Sequence, residues 1–235
     1  MNNKQKRIAF GAGIVVILAA LFTWNFTRGS GNSSSNAGST SSNNVTVSAR
    51  ISQQTTKDLS GDNDSIVVYF SRTRGVYDGP LEIGHTKQVA DYIIEATNAD
   101  EYEIIPALDY PEEYEATANQ ARREQEEDAR PAILNDLPDL TGYENVFIGA
   151  PVWWSEYPMI VRTFLDAEGD NLNDKRLIPF TTHLGSGLGA SQRQLESQFP
   201  NATVLDGFTV RGEDSAVRGS QNDVNAWLTR IGVTN

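Results

Sequence analysis

Cysteine is absent from the 235 residues, and histidine occurs only at His85 and His183. The chain therefore has no disulfide, no thiolate metal site, no thiol nucleophile and no lipid-modified cysteine. Two histidines are also too few for a zinc site built from several imidazoles. Basic residues are scarce, since 19 Lys and Arg stand against 31 Asp and Glu, for a formal net charge of −12. Because binding to phosphate backbones relies on clustered Lys and Arg, this balance argues against nucleic acid as a partner.

The charge divides the chain into two regions. Residues 1–60 carry six basic side chains and one acidic side chain, whereas residues 61–235 carry 13 basic and 30 acidic ones. Residues 8–24 contain no charge and only one polar side chain, Thr23. This 17-residue run is at the short end of what spans a bilayer as a helix, and Trp24 lies where an interfacial aromatic residue is expected.

The N-terminal segment, residues 1–27, is predicted to be a single-pass membrane anchor. Lys4, Lys6 and Arg7 precede the apolar run, and only Arg28 follows it closely. The positive-inside rule then puts the N-terminus in the cytoplasm and the rest of the chain outside the cell membrane. A cleaved signal peptide, which would give a secreted protein, is the alternative. We favour the anchor because bulky residues, and no small-x-small pair, end the run.

Residues 28–62 are rich in Ser, Asn, Thr and Gly. Such a composition does not bury enough apolar surface to fold alone, so this segment is predicted to be a disordered linker. It is expected to act as a flexible tether between the anchor and the folded domain, and no site is assigned to it. Residues 63–235 then form one folded domain.

This domain alternates strand patterns with helix patterns. Strands are predicted at 66–70, 101–105, 146–151, 176–180 and 202–210, and helices at 85–97, at 112–129, from 158 onward and at 224–231. The short apolar runs are typical of strands buried on both faces. The pattern predicts an α/β fold with an open five-stranded parallel sheet and helices on both faces. Pro179 has no N–H for a sheet ladder, so we expect a bulge there or a strand that begins at Phe180.

Ligands of open parallel sheets bind beyond the carboxyl ends of the strands, which directs attention to three loops. The first loop, 71–86, combines hydroxyl groups with a helix N-terminus, which favours an anion; its candidate donors are Ser71, Thr73, His85 and Thr86, with Arg72 or Arg74 as further options. It matches neither a Walker loop nor a dinucleotide fingerprint. Turns and helix caps use the same residue types, so this loop alone also fits a purely structural role.

The second and third loops suggest a flat ligand. Residues 149–158 read GAPVWWSEYP, and stacking of a planar ligand would explain the adjacent Trp153 and Trp154. The alternative is that one of the two indoles packs into the core. Residues 181–191 read TTHLGSGLGAS, whose glycines let backbone N–H groups approach a heterocycle closely. That loop alone is also compatible with a simple N-terminal turn of a helix.

The order of these loops, after the first, third and fourth strands, resembles the flavodoxin family over residues 64–233. The motifs that carry the resemblance are APVWW (150–154) and THLGSGLG (182–189). The resemblance implies FMN as the cofactor, held by three groups of residues. The phosphate group would be held by Ser71, Thr73, His85 and Thr86. The isoalloxazine would lie between Pro151, Val152, Trp153 and Trp154. The pyrimidine edge would meet Thr182, His183, Gly185 and Gly187.

Two features depart from the family pattern. The phosphate loop is lengthened by VYDGPLEI (76–83) and ends in Gly-His-Thr rather than Gly-Asn-Thr, and the segment WWSEYP (153–158) has no glycine beside the flavin N5. We expect a membrane-tethered FMN protein that transfers electrons between a donor and an acceptor, either redox proteins or a quinone. An FMN-dependent NAD(P)H or quinone oxidoreductase and a flavin-free binding domain are the alternatives. No catalytic side chain and no metal ligand is predicted.

Overall fold

The structure, a computed structural model, describes residues 64–234. The predicted anchor at 1–27 and the predicted linker at 28–62 lie outside the described residues, so both stay predictions. Within residues 64–234, no helix combines the length and the apolar character needed to cross a membrane.

Strands and helices alternate along the described residues. The strands are β1 (Ser65–Tyr69), β2 (Asp100–Glu103), β3 (Asn145–Pro151), β4 (Arg176–His183), β5 (Thr203–Val204) and β6 (Phe208–Arg211). The helices are α1 (His85–Thr97), α2 (Tyr114–Glu126), α3 (Met159–Glu168), α4 (Ser191–Gln198), α5 (Asp214–Gly219) and α6 (Gln221–Arg230). A 3₁₀ turn at Gly169–Leu172 follows α3.

The strands form one parallel sheet in the order β2-β1-β3-β4-β5, with β6 also paired to β4. The chain passes from β1 to β2 on one side and then returns to β3 on the other, so the strand order reverses between β1 and β3. The predicted α/β fold is thereby confirmed for the described residues. The reversal opens a crevice at the carboxyl ends of β1 and β3, which is where ligands bind in sheets of this type.

Both faces of the sheet are buried, which explains the continuous apolar strands. Along β1, Ile66 and Val68 join one core cluster, while Val67 and Tyr69 join the other. Helices α3 and α4 contribute to the first cluster, and α1, α5 and α6 contribute to the second. A strand enclosed on both sides has no polar face, so its side chains need not alternate in character.

The expectation of a bulge at Pro179, or of a strand that begins after it, is wrong. Strand β4 runs without interruption, with Pro179 opposite Ile148 of β3. In a parallel sheet, the backbone N–H and C=O of one residue bond to the strand on one side, and those of the next residue bond to the strand on the other side. The carbonyl oxygen of Leu177 faces β5, since it accepts the N–H of Leu205 at 2.9 Å. Two residues later, Pro179 faces that same side, in the gap between β5 and β6. Its missing N–H therefore costs no ladder bond.

The single strand expected at 202–210 is also wrong, because it is divided into β5 and β6. The two short strands pair in succession with the same edge of β4. Between them, a Cβ on Gly207 would lie 2.8 Å from the Pro179 carbonyl oxygen, so the chain passes very close to β4 there.

The sequence pattern also does not predict α5, whose six residues include only Ala216 and Val217 as apolar side chains.

Candidate functional site

A cavity lies at the carboxyl ends of β1, β3 and β4. Eight of the twelve residues predicted for the site line it: Ser71, His85, Thr86, Pro151, Val152, Trp153, Thr182 and His183. The other four do not line this cavity: Thr73, Trp154, Gly185 and Gly187. The three predicted loops therefore meet at one place, although not every residue within them faces the same space.

The loop after β1 is joined to the N-terminus of α1. The Ser71 hydroxyl oxygen accepts the N–H of Lys87 at 3.0 Å, in the first turn of the helix. A Cβ on Gly84 would lie 2.3 Å from that oxygen, so only glycine allows the approach. Buried Thr86 then joins β4 through its hydroxyl, which lies 2.9 Å from the Thr182 hydroxyl. These contacts put hydroxyl groups beside the free N–H groups of a helix N-terminus, an arrangement that favours an anion.

Arg72, which the sequence offered only as an optional donor, lines the cavity and contacts the segment before α2. One terminal nitrogen, Nη2, donates to the carbonyl oxygens of Tyr110 (3.1 Å) and Pro111 (2.8 Å), and the guanidinium lies 5.3 Å from the centre of the Tyr110 ring. The other, Nη1, is buried without a hydrogen-bond partner, and Arg72 lines the cavity. Burial lowers the pKa of Arg72, although a guanidinium stays charged near neutral pH. A buried donor without a partner is costly, and an anionic oxygen would satisfy it.

The C-terminal part of the domain supplies a wall that sequence reasoning missed. The Nε2 atom of His85 lies 3.3 Å from a carboxylate oxygen of Asp214, at the start of α5. Gly212 lines the cavity, and a Cβ there would lie 3.4 Å from Nδ1 of His85. No sequence motif marks these residues, which reach the site only because β6 pairs with β4.

Trp153 is the indole that faces the cavity. Its ring meets Phe70 edge-on at 5.5 Å and Tyr110 at 5.1 Å between ring centres. These contacts hold the half-buried indole against the core cluster on that face of the sheet. Trp153 thus has a fixed orientation before any ligand binds, which suits a stacking surface.

Trp154 lies against α2 instead. Its indole Nε1 donates to the carbonyl oxygen of Ala118 (2.9 Å), and the guanidinium of Arg122 lies 5.1 Å from its ring centre. The side chain is 46% exposed, so it belongs to the surface and not to the core. The two adjacent tryptophans therefore have different contacts, and one of them supports the loop that carries the other.

The aromatic loop is a tight hairpin. Trp153 and Glu156 exchange two backbone hydrogen bonds of 3.0 Å, which close a two-residue turn. Trp154 and Ser155 occupy that turn with φ angles of 49° and 69°, a conformation that normally selects Asn, Asp or Gly. The Ser155 carbonyl oxygen accepts the N–H of Ala190 at 2.7 Å. The turn is thus tied to the start of α4, which limits its freedom to change shape.

In the loop after β4, His183 and two glycines have separate roles. The Nδ1 atom of His183 accepts the N–H of Gly185 at 2.8 Å, so the imidazole is neutral in this arrangement. Burial, and then the charge of Arg211, lower the pKa of His183. Gly185 and Gly187 have φ angles of 138° and 59°, which favour glycine and turn the chain away from the cavity.

The insertion in the phosphate loop contributes Val76, Tyr77 and Asp78 to the cavity lining, and α2 contributes Tyr114. The rings of Tyr77 and Tyr114 lie 5.5 Å apart, close to perpendicular. Sequence patterns assign no role to either tyrosine, although Tyr114 begins the helix that they predict at 112–129.

The flavodoxin family profile matches residues 66–231. The chain belongs to the flavodoxin family. This confirms the resemblance of residues 64–233 to that family. No curated protein matches the sequence.

Solved structures show the same fold. A candidate flavoprotein from Bacteroides uniformis ATCC 8492 is 27% identical, with a TM-score of 0.57, over 71% of this chain and 98% of that one. A candidate flavoprotein from Bacteroides eggerthii DSM 20697 is also 27% identical, with a TM-score of 0.57, over 72% and 97%. A flavoprotein in complex with FMN from Lactobacillus acidophilus NCFM is 20% identical, with a TM-score of 0.50, over 64% and 93%.

Protonation of His183 makes the stability of the domain depend on pH. Because its folded-state pKa is lowered, the folded flavodoxin domain binds fewer protons than the unfolded chain just below the ordinary histidine value of about 6.5. Its contribution to stability is therefore complete above that value and is lost as the pH falls through the window down to the folded pKa. In His85→Gln, His183 is the sole histidine, so the NMR shift of its Cε1 proton reports one group. We expect a midpoint below 6.5 and a higher one in urea; equal midpoints would contradict the prediction.

Proposed function

We propose that this protein is a membrane-anchored flavoprotein that binds FMN in the described cavity and transfers electrons at the outer face of the cytoplasmic membrane. One observation carries the cofactor assignment. The cavity lining combines a helix N-terminus with hydroxyl groups, Arg72, whose buried Nη1 has no hydrogen-bond partner, and the indole of Trp153, all at the carboxyl ends of adjacent parallel strands. Each group matches one part of FMN, either its phosphate or its ring system.

The phosphate of FMN fits the groups around the start of α1. Ser71 accepts a backbone N–H, which leaves its own hydroxyl proton for a phosphate oxygen. Arg72 Nη1 is the buried donor that lacks a partner. The helix N-terminus adds N–H groups and a favourable dipole. His85 and Thr86 line the same space and complete the set of donors.

The isoalloxazine fits between the loops after β3 and β4. Pro151, Val152 and Trp153 would contact its faces, while Thr182 and His183 would hold its pyrimidine edge. A flavoprotein of the same fold from Lactobacillus acidophilus NCFM was solved in complex with FMN, which supports FMN as the cofactor. When bound, the flavin supplies the redox chemistry, and the chain's own residues bind it, orient it and exclude water.

Four residues of the original site prediction receive supporting roles in this proposal. Trp154 stabilises the hairpin that carries Trp153, since its Nε1 is already bonded to α2. Gly185 and Gly187 shape the loop after β4 through their positive φ angles. The Thr73 carbonyl oxygen accepts the N–H of Leu81 at 2.9 Å and closes the base of the insertion.

The two tryptophans provide a matched pair of variants. Trp153→Ala removes the stacking surface, and we expect it to weaken FMN binding about tenfold or more, since a buried aromatic contact contributes about 1–3 kcal/mol. Trp154→Ala removes a contact with α2 and should cost less than half as much binding free energy. Titration of FMN fluorescence with the full chain in detergent micelles measures both. A larger loss in Trp154→Ala, or no loss in either variant, would contradict the assignment.

Arg72 tests the position of the phosphate. Arg72→Gln removes the unpaired charged donor, and we expect it to weaken FMN binding about tenfold, in line with a hydrogen bond to a charged group of about 1.5–3 kcal/mol. Riboflavin is the matched ligand, because it has the same ring system and no phosphate. Its affinity should fall by a clearly smaller factor than that of FMN, since Arg72 acts on the ring system only through Tyr110 and Trp153. Equal losses for both ligands would show that Arg72 only supports the loop.

The membrane placement rests on the charge asymmetry around residues 8–24. In cells that express the full chain, we expect the flavodoxin domain to stay with the membrane fraction and to be cut by protease added to intact cells. A cytoplasmic marker protein that survives the same treatment is the control. Protection of the domain in intact cells, together with digestion after permeabilisation, would overturn the proposed orientation. Release of the domain into the medium would show a cleaved signal peptide instead.

A further inference from the structure

The insertion presents an exposed aromatic side chain on a closed loop. Leu81 N–H donates to the Thr73 carbonyl at 2.9 Å and closes the loop at its base. At its tip, Gly79 N–H donates to Val76 at 3.2 Å, and the turn between them carries Tyr77, which is 68% exposed. Large apolar surface at the tip of a surface loop adds little to the core, which indicates a role in binding.

The same loop is fixed to the start of α2. Gly75 N–H donates to the Glu112 carbonyl at 2.7 Å, and a Cβ on Gly75 would lie 2.3 Å from the hydroxyl of buried Thr117. One turn away, Tyr114 meets the Tyr77 ring edge-on. The two tyrosines therefore form a supported aromatic pair at the rim of the cavity, and both line it.

The surface around this pair is acidic. Glu112, Glu113 and Glu115 are exposed and flank Tyr114, and Asp78 follows Tyr77 directly. Of the nearby cations, Arg72 is directed to the carbonyls of the loop before α2 and Arg211 is paired with Glu213 at 2.8 Å, whereas Arg74 is exposed. A pyrophosphate would meet repulsion at this rim, because its binding needs several donors or cations.

We propose that Tyr77 and Tyr114 form a second subsite, beside the cofactor, which binds a neutral, planar, phosphate-free redox partner of the quinone class. The aromatic rings supply the contact area, and the exposed Leu184 supplies further apolar surface from the loop after β4. The acidic rim disfavours a nicotinamide dinucleotide. The subsite rests on the proposed function, since it needs a flavin in the same cavity, but it assigns a partner class that the family membership does not.

The test measures binding of duroquinone to the FMN-loaded full chain by equilibrium dialysis, with empty detergent micelles as the baseline. We expect Tyr77→Ala and Tyr114→Ala each to weaken duroquinone binding about fivefold or more. The ring-retaining variants Tyr77→Phe and Tyr114→Phe should bind nearly as well as the unmodified chain. Leu108→Ala is the matched control, because Leu108 is 85% exposed and does not line the cavity. In Tyr77→Ala and Tyr114→Ala, FMN binding should weaken by a clearly smaller factor than duroquinone binding, and in Leu108→Ala neither affinity should change by more than about twofold.

Three results would overturn the subsite. If Tyr77→Ala or Tyr114→Ala weakens FMN binding by the same factor as duroquinone binding, the two rings contact the cofactor and not a second ligand. NAD⁺ binding that matches duroquinone binding and depends on Tyr77 would contradict the charge argument. If the unmodified chain self-associates in sedimentation and Tyr77→Ala abolishes this association, the pair is an interface between copies of the chain. Failure of the proposed function itself would look different, since the unmodified chain would then bind no FMN.

Discussion

The site depends on the close approach of the loop after β1 to the N-terminus of α1. Ser71 reaches the N–H of Lys87 only because Gly84 has no side chain in the space between them. This contact turns the chain from a buried strand into a helix whose free N–H groups point toward the cavity. The strand order that reverses beside β1 then leaves the space above these groups open. A side chain at Gly84 would separate the hydroxyl from the helix and remove the concave end of the site.

Helix α2 connects two parts of the site that are distant in sequence. Its first turn packs against the phosphate loop through Gly75 and Tyr77, and its second turn accepts a hydrogen bond from Trp154 through Ala118. The charged composition of α2 therefore describes only its solvent side, while its other side positions an aromatic hairpin and an aromatic rim. A shift of this helix would move both loops together, so the two aromatic walls of the cavity are coupled through it.

Sequence patterns predicted the fold well because its strands are buried on both faces and leave unbroken apolar runs such as 66–70 and 146–151. They failed where tertiary contacts decide local structure. Pro179 is accommodated because β4 has no partner at that residue on the side of β5 and β6, which no local rule reveals. The loops of the site were found because glycine, hydroxyl and indole side chains cluster after strands. Gly212 and Tyr114, which line the cavity, and Asp214, which contacts His85, were missed because each comes from another element and carries no local motif.

Most polar groups of the site are already paired within the chain. Thr86 with Thr182, Ser71 with Lys87 and the hairpin bonds of Trp153 hold the walls in place, so little binding free energy is needed to order them. Arg72 is the exception, because its buried Nη1 has lost water without gaining a partner. A buried donor without an acceptor destabilises the ligand-free protein by about 1–3 kcal/mol, and a bound anion that accepts its hydrogen bond removes this penalty. The guanidinium of Arg72 also lies over the ring of Tyr110, against which Trp153 packs. Arg72 therefore joins the anion-binding and ring-stacking parts of the cavity through one side chain, which favours a ligand that carries both a phosphate and a planar ring.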